Sequence, residues 1–159
     1  MVNGTPGVAS DDIPAAIGTR LQDAATHYHD SDTAEAHLID TIAAAPDYLP
    51  GYFALYKFYF YKKRLEQAEQ AALAGMSNAA RLGGFEPEWH KLTPRSADWQ
   101  GGTGAAHFYL FTLKALAFIH LRTNRAASCQ AMLDKLAEID PGDQVGACVI
   151  RDFAAGAQS

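Results

Sequence analysis

Residues 34–45 read AEAHLIDTIAAA, and residues 68–79, which begin 34 positions later, read AEQAALAGMSNA. Both segments are rich in alanine and other residues that favour helices. Leu21 and Leu55 are separated by the same 34 positions, whereas Leu116, the next counterpart, follows Leu55 by 61 positions. A period of this length predicts a repeated helical unit that is interrupted once, by an insertion of 27 residues.

Capping residues and chain breaks divide the sequence into seven predicted helices. Pro14 fits the first turn of the first helix, and the cluster Ser31 to Thr33 is expected to end that helix and cap the next one. Gly83 and Gly84 end the fourth helix. The predicted boundaries are 13–30, 34–45, 49–62, 65–81, 105–122, 125–139 and 143–155.

Residues 49–62, LPGYFALYKFYFYK, contain seven aromatic side chains in one short stretch. Aromatic residues favour strands, so a strand is the alternative interpretation. However, Tyr52, Leu55, Tyr56 and Tyr59 follow the i, i+3, i+4, i+7 spacing of one helix face. Because the flanking segments are also helical, we expect a helix here.

The composition indicates one globular domain at 13–155, with a disordered lead at 1–12 and a disordered tail at 156–159. Of the 159 residues, 48% are hydrophobic and 19% are charged, and the net charge is −5. This charge argues against a nucleic-acid or membrane-surface binder. Basic residues interrupt the most hydrophobic regions, so no membrane-spanning segment is expected. Two cysteines without metal-site spacing and a lead without an apolar run predict a cytoplasmic bacterial protein.

Three sets of residues carry a common pattern. They are Leu21, Ala25, Ala34, Leu38 and Pro46; Tyr52, Leu55, Tyr56, Tyr59, Ala68 and Ala72; and Leu113, Leu116, Ala117, His120, Cys129, Leu133 and Pro141. The pattern resembles the tetratricopeptide repeat (TPR), a pair of antiparallel helices. The resemblance implies an all-α stack of about three TPR-like hairpins plus a C-terminal capping helix, with an insertion at 83–109. An irregular helical bundle is the alternative fold.

Small residues are expected where the paired helices approach each other most closely. Ala34, Ala68 and Cys129 occupy these positions in the three copies. A larger side chain there would overpack the hairpin.

A second resemblance concerns segments 54–61, 114–119 and 133–136. Together they resemble small repeat proteins encoded beside nitrogen-fixation genes in diazotrophic bacteria. This resemblance implies a role that is accessory to nitrogen fixation or to metalloprotein assembly.

The TPR resemblance also implies that the first helix of each pair lines a concave groove. The groove residues would be Arg20, Asp23 and His27 from the first pair, Phe53, Lys57, Phe60 and Tyr61 from the second, and Phe111, Lys114, Phe118 and Arg122 from the third. Cationic and aromatic side chains at these positions suit an acidic partner peptide with apolar anchors. We expect a non-catalytic protein-interaction adaptor, with homodimerisation also open. Packing alone and a small-molecule or cofactor carrier are the alternatives.

The insertion contains two tryptophans, Trp89 and Trp99, in a segment otherwise built as a loop. Long loops are usually functional or disordered, and two tryptophans argue against disorder. We expect the segment to fold back onto the helices, either for packing or to add both tryptophans to the partner surface.

Catalytic, metal and cofactor sites are not expected. His27 and His29 are two positions apart and would point in different directions on a helix. Cys129 and His120 are nine positions apart with a turn between them, so they do not form a nucleophile and base pair. The glycines at 101–104 lack the lysine of a phosphate-binding loop. His120 is expected to be a hydrogen-bonded core residue.

Overall fold

The computed structural model describes residues 31–101 and 104–158, which form six α-helices and two short 3₁₀ helices. The α-helices are α1 (Ser31–Ala44), α2 (Leu49–Tyr61), α3 (Leu65–Gly83), α4 (Gly104–Arg122), α5 (Ala126–Ile139) and α6 (Cys148–Gln158). No strand occurs among these described residues, so the all-α prediction is confirmed. The predicted helix at 13–30 and the lead at 1–12 lie outside the described residues.

The boundaries of α2, α3, α4 and α5 agree with the predictions to within two residues. The prediction that Ser31 to Thr33 precede the next helix is wrong, because these residues belong to α1. Asp32 lies in the first turn of α1. A carboxylate in the first turn interacts favourably with the positive end of the helix dipole, so Asp32 is compatible with a helical position.

Helix α6 begins at Cys148, five residues later than predicted. Asp143 and Gly146 both have positive φ, so the segment before Cys148 forms turns. The carboxylate of Asp143 accepts bonds from the backbone N–H groups of Ala147 at 2.7 Å and of Cys148 at 3.3 Å. It thereby caps α6. The helix continues through Gln158, beyond residue 155, where the sequence predicts that it ends.

The contacts group the chain into two compact units, residues 1–71 and 72–159, with α3 beginning in the first and ending in the second. In the first unit α1 packs against α2. Helix α2 is anchored at its start by Tyr52, whose hydroxyl donates a 2.8 Å bond to the carbonyl of Pro46. Its aromatic residues form most of the buried surface, comprising Tyr52, Phe53, Tyr56, Phe58 and Tyr59 with Leu55.

Three helices end in the same local geometry. Lys63, Gly84 and Asn124 follow α2, α3 and α4 and have φ values of 61°, 73° and 62°. In each case the next residue donates its N–H to a carbonyl five residues earlier, at 2.8–3.0 Å. These are Schellman caps, which satisfy carbonyl groups at the helix end. The prediction that glycine ends the fourth predicted helix, which is α3, is confirmed at Gly84.

In the second unit α4 packs against α5, as predicted for the third helix pair, and α6 packs against both. By length and composition alone α4 could cross a bilayer, so the expectation of no such segment is too strict. Its residues Leu110, Leu113 and Leu116 are nevertheless buried within the protein, and Lys114 interrupts its apolar sequence. This pattern is typical of a core helix in a globular fold.

Hydrogen bonds from later helices and loops, and others within the insertion itself, hold the insertion in place. Lys135 Nζ donates to the carbonyl of Leu92 at 2.6 Å, and Gln144 Nε2 donates to that of Trp99 at 2.7 Å. The Tyr109 hydroxyl donates to the carbonyl of Pro87 at 2.6 Å, and Trp99 Nε1 donates to that of Thr93 at 2.9 Å. These bonds satisfy backbone groups that no helix or strand pairs.

Candidate functional site

The predicted groove residues fall in both compact units. The first unit holds Phe53, Lys57, Phe60 and Tyr61, and the second holds Trp89, Trp99, Phe111, Lys114, Phe118 and Arg122. Arg20, Asp23 and His27 lie outside the described residues.

Four of these residues form one face of α2, which we call the α2 surface: Phe53, Lys57, Phe60 and Tyr61. Phe53 is the buried member, at 7% exposed, whereas the other three reach the surface. Positions 53, 57 and 61 are four residues apart and share a helix face. Lys57 Nζ lies 5.7 Å from the ring centre of Phe53 and 5.8 Å from that of Tyr61. Phe60 contacts Tyr61 edge to face, with ring centres 6.5 Å apart. Tyr61 is 59% exposed and offers an aromatic ring to solvent.

The α2 surface is locally basic within an acidic protein. Lys57, Lys62, Lys63 and Arg64 are four of the 13 basic residues of the chain, whose net charge is −5. Lys63 is exposed, and Lys62 Nζ lies 5.9 Å from the ring centre of Phe58. Partial burial lowers the pKa of Lys57 from its usual value. Desolvation of an ammonium group strengthens its attraction to a carboxylate that binds beside it.

Behind this surface a polar cluster fixes α2 to α1. The Tyr59 hydroxyl donates to Glu35 Oε2 at 2.6 Å, and both terminal nitrogens of Arg64 donate to Glu35 at 3.2 Å. The guanidinium of Arg64 also lies 4.9 Å from the ring centre of Tyr59. The cluster therefore positions the end of α2 and the basic residues that follow it.

An open depression of about 300 Å³ shares Tyr59 with the polar cluster. Its lining is Ile39, Leu55, Tyr59, Gln67, Gln70 and Ala71. Ile39 is 47% exposed, and the lining combines apolar side chains with the amides of two glutamines. The side-chain oxygen of Gln67 already accepts a 2.6 Å hydrogen bond from Arg64 Nε.

A second aromatic surface joins α4 and α6. Phe118 stacks on Phe153 with ring centres 5.5 Å apart and an interplanar angle of 29°. The guanidinium of Arg122 lies 5.8 Å from the ring centre of Phe118. We call Phe118, Arg122, Val149, Asp152 and Phe153 the α6 face. The structure thus brings two predicted site residues, Phe118 and Arg122, together with residues of the last helix.

Lys114 is held in place by its own unit. Its Nζ donates a 2.7 Å bond to the carbonyl of Val145 and lies 4.3 Å from the ring centre of Phe111. Burial lowers the pKa of Lys114, and the carboxylate of Asp143 partly opposes this effect. Lys114 therefore links α4 to the loop before α6, which gives it a structural role whatever else it contacts.

The two tryptophans of the insertion differ in their surroundings. Trp99 is 2% exposed and contacts Phe85 edge to face at 5.2 Å between ring centres. Tyr109 packs against both rings. Burial of Trp99 is incompatible with direct contact to a partner in this conformation, so its assignment to the partner surface is corrected to packing. Trp89 is half-buried and contacts His90.

Histidine and cysteine side chains in the described residues form no group of three or more potential metal ligands with aspartate or glutamate. The prediction for His120 is confirmed: it is 9% exposed, and its Nδ1 is hydrogen-bonded to Ser128 Oγ at 2.6 Å. Burial raises the pKa of the Cys129 thiol. A hydrogen bond to Asp143 is the largest cause that raises the pKa of the Cys148 thiol. Both thiols are thereby made poor nucleophiles.

The part of the chain that the structure describes is all-α and carries aromatic and basic side chains together on α2 and on the α6 face. A protein of Azotobacter chroococcum mcd 1, described as an uncharacterized 19.8 kDa protein in the nifW 5′ region, is 32% identical to this chain over 125 residues. The aligned region covers 77% of this chain and 70% of that protein. The chain belongs to the family of this protein. No model of a protein family matches the chain, and no solved structure matches it.

Several residues of these surfaces were missed by sequence reasoning. Lys62 and Lys63 extend the basic charge of the α2 surface, and the run Lys62 to Arg64 was the available signal. Val149 and Phe153 are 52% and 55% exposed on α6. Their spacing of four residues, about 100° around the helix from the buried Ile150 and Ala154, could have identified an exposed apolar face.

Proposed function

We propose that this protein is a non-catalytic adaptor that binds an acidic peptide or protein segment through the α2 surface. The observation that carries the proposal is the position of Lys57 between the rings of Phe53 and Tyr61, with Tyr61 largely exposed. A carboxylate can pair with the lysine while an adjacent apolar side chain packs on the tyrosine ring. The exposed Lys63 adds a second cation.

We further propose that the helices form TPR-like repeats. Ala34, Ala68 and Cys129, the three small-residue positions of the pattern, are each 0% exposed, which supports close helix packing at these sites. In such a stack α2 and α4 would be first helices of their repeats, and their exposed residues would belong to the binding side.

The relative from the nifW 5′ region supports a physiological proposal. We propose that the adaptor is accessory to nitrogen fixation or to assembly of a metalloprotein, and that it acts in the cytoplasm. The partner would then be a protein produced under nitrogen-fixing conditions.

Charge reversal on the α2 surface tests the proposed binding. The tagged chain, its Lys57→Glu/Lys63→Glu variant and an Arg95→Glu control are used to recover partners from lysates of nitrogen-fixing and ammonium-grown cells. Arg95 is exposed on the insertion and receives the same reversal of charge per residue. We expect the wild type and the control to recover the same protein, and the double variant to recover at least about tenfold less. Equal recovery by all three, with each variant folded by circular dichroism, would contradict the proposal.

The alternative function is a small-molecule or cofactor carrier. The depression beside Tyr59 is the feature that favours it, because its lining is apolar with two amides. A carrier should retain its ligand when purified from the nitrogen-fixing cells, and native mass spectrometry would detect that ligand as an added mass. Such a mass, lost in an Ala71→Trp variant, would support the carrier over the adaptor.

A further inference from the structure

Helix α6 has one face that is buried and another that is apolar but exposed. Ile150 and Ala154 are 6% and 4% exposed and pack inward. Val149 and Phe153, also four residues apart, remain more than half exposed. Large apolar side chains that lie together on an exposed helix face often mark an interaction site.

The apolar area continues from α6 onto α4. Phe153, on α6, stacks on Phe118, on α4. The guanidinium of Arg122 lies over the ring of Phe118. The exposed Gly156 follows Phe153 by three residues, and a Cβ atom added there would meet nothing within 4 Å. A second helix could therefore approach α6 closely at this point.

The charges on the α6 face are of both signs. Arg122 is positive, and Asp152, exposed beside Phe153, is negative. An acidic or a basic partner would match only one of these charges. A second copy of the same face matches both, because a two-fold interface presents the same residues from each side. We propose that the α6 face binds a second copy of this chain and forms a two-fold symmetric dimer.

The α6 face is small compared with the interfaces of stable dimers. Helix α6 has 11 residues, a length of about 16 Å. One short helix with the end of α4 offers less than the roughly 800 Å² per partner of a standard interface. We therefore expect a weak dimer, with a dissociation constant of the order of 10 µM.

Sedimentation velocity of the full chain from about 1 to 500 µM, which brackets that affinity, tests the proposal. We expect a reversible increase in mass from one to two copies across this range. Phe153→Ser and Val149→Ser should each raise the dissociation constant at least about tenfold. Val149→Ser leaves the Phe118–Phe153 stack intact, so it remains informative if Phe153→Ser disturbs the fold. Leu73→Ser is the matched control, since Leu73 is also a large apolar side chain, 41% exposed, but lies on α3.

Exchange of the charges of Arg122 and Asp152 distinguishes a specific symmetric dimer from non-specific hydrophobic association. Arg122→Glu and Asp152→Arg should each weaken the dimer, and the double variant should recover most of the affinity, because the complementary charges are restored. A monomer at every concentration, or equal effects of Leu73→Ser and Val149→Ser, would overturn the proposal. The α6 face and the α2 surface share no residue. A Lys57→Glu/Lys63→Glu variant should therefore dimerise as the wild type does, which separates this test from that of the proposed function.

Discussion

The hydroxyl group of Tyr59 donates a 2.6 Å hydrogen bond to the carboxylate of Glu35 and so joins the aromatic helix α2 to α1. Tyr59 is only 6% exposed, and its bond to Glu35 is partly buried. Arg64 pairs with the same carboxylate at 3.2 Å. Charge-assisted hydrogen bonds in such surroundings are stronger than those at an exposed surface. The contact holds the helix that carries the α2 surface.

Removal of the Tyr59 hydroxyl should destabilise the protein. Tyr59→Phe keeps the ring but deletes a bond to a charged acceptor, and we expect the free energy of unfolding to fall by about 1.5–3 kcal/mol. Urea denaturation followed by circular dichroism measures the change. Tyr61→Phe is the control, because Tyr61 is 59% exposed, and its effect should stay within about 0.5 kcal/mol. Equal effects of the two substitutions would show that the Glu35 contact is unimportant.

The same bond predicts a loss of stability in alkaline solution. Burial is the largest cause that raises the pKa of Tyr59 to about 12, followed by the hydrogen bond to Glu35 and the charge of that carboxylate. An unfolded tyrosine has a pKa of about 10. The stabilisation is therefore complete below pH 10 and is lost as the pH rises from about 10 to 12. Unfolding free energies of wild type and Tyr59→Phe should converge over this range, and a constant difference would contradict the assignment.

The two tryptophans should have different fluorescence. Trp99 is buried among aromatic rings, so Trp89→Phe should leave emission at short wavelength, typical of an apolar environment. Trp89 is half-buried, so Trp99→Phe should leave emission at longer wavelength. Emission spectra of both variants, with the unfolded chain as the reference, measure the difference. Identical spectra, or strongly red-shifted emission from Trp99, would contradict packing of the insertion.

Overpacking at a small-residue position should be costly. Ala68 is 0% exposed, and Ala68→Leu should lower the free energy of unfolding by about 1–3 kcal/mol because the added atoms have no room. Ala74 lies on the same helix but is exposed, so Ala74→Leu should have almost no effect. Thermal or urea denaturation of both variants checks this. Comparable stability of the two would mean that Ala68 is not at a close helix contact.

Helical periodicity predicted α2 despite its aromatic residues, because Tyr52, Leu55, Tyr56 and Tyr59 fall on one buried side of the helix. It placed the start of α6 wrongly. That start depends on two positive φ angles and on the carboxylate of Asp143, which are features of a specific turn rather than of a pattern.

Periodicity also could not give the contacts of the insertion. The bonds from Lys135 and Gln144 to carbonyl groups at Leu92 and Trp99 span 43 and 45 residues. Such pairs depend on tertiary structure. For the same reason the sequence could place Lys57 and Tyr61 on one face of a helix but could not show that Trp99 is buried.

Site-specific photo-crosslinking shows directly whether the α2 surface binds a protein partner. A photoreactive phenylalanine analogue is placed at position 61, and in a matched variant at position 82, where Leu82 is also exposed. Both proteins are irradiated in nitrogen-fixing cells, and the adducts are identified by mass spectrometry. We predict one abundant protein adduct from position 61, located beside an acidic segment of that partner, and its absence from position 82. No adduct at position 61, or the same adducts at both positions, would contradict the claim.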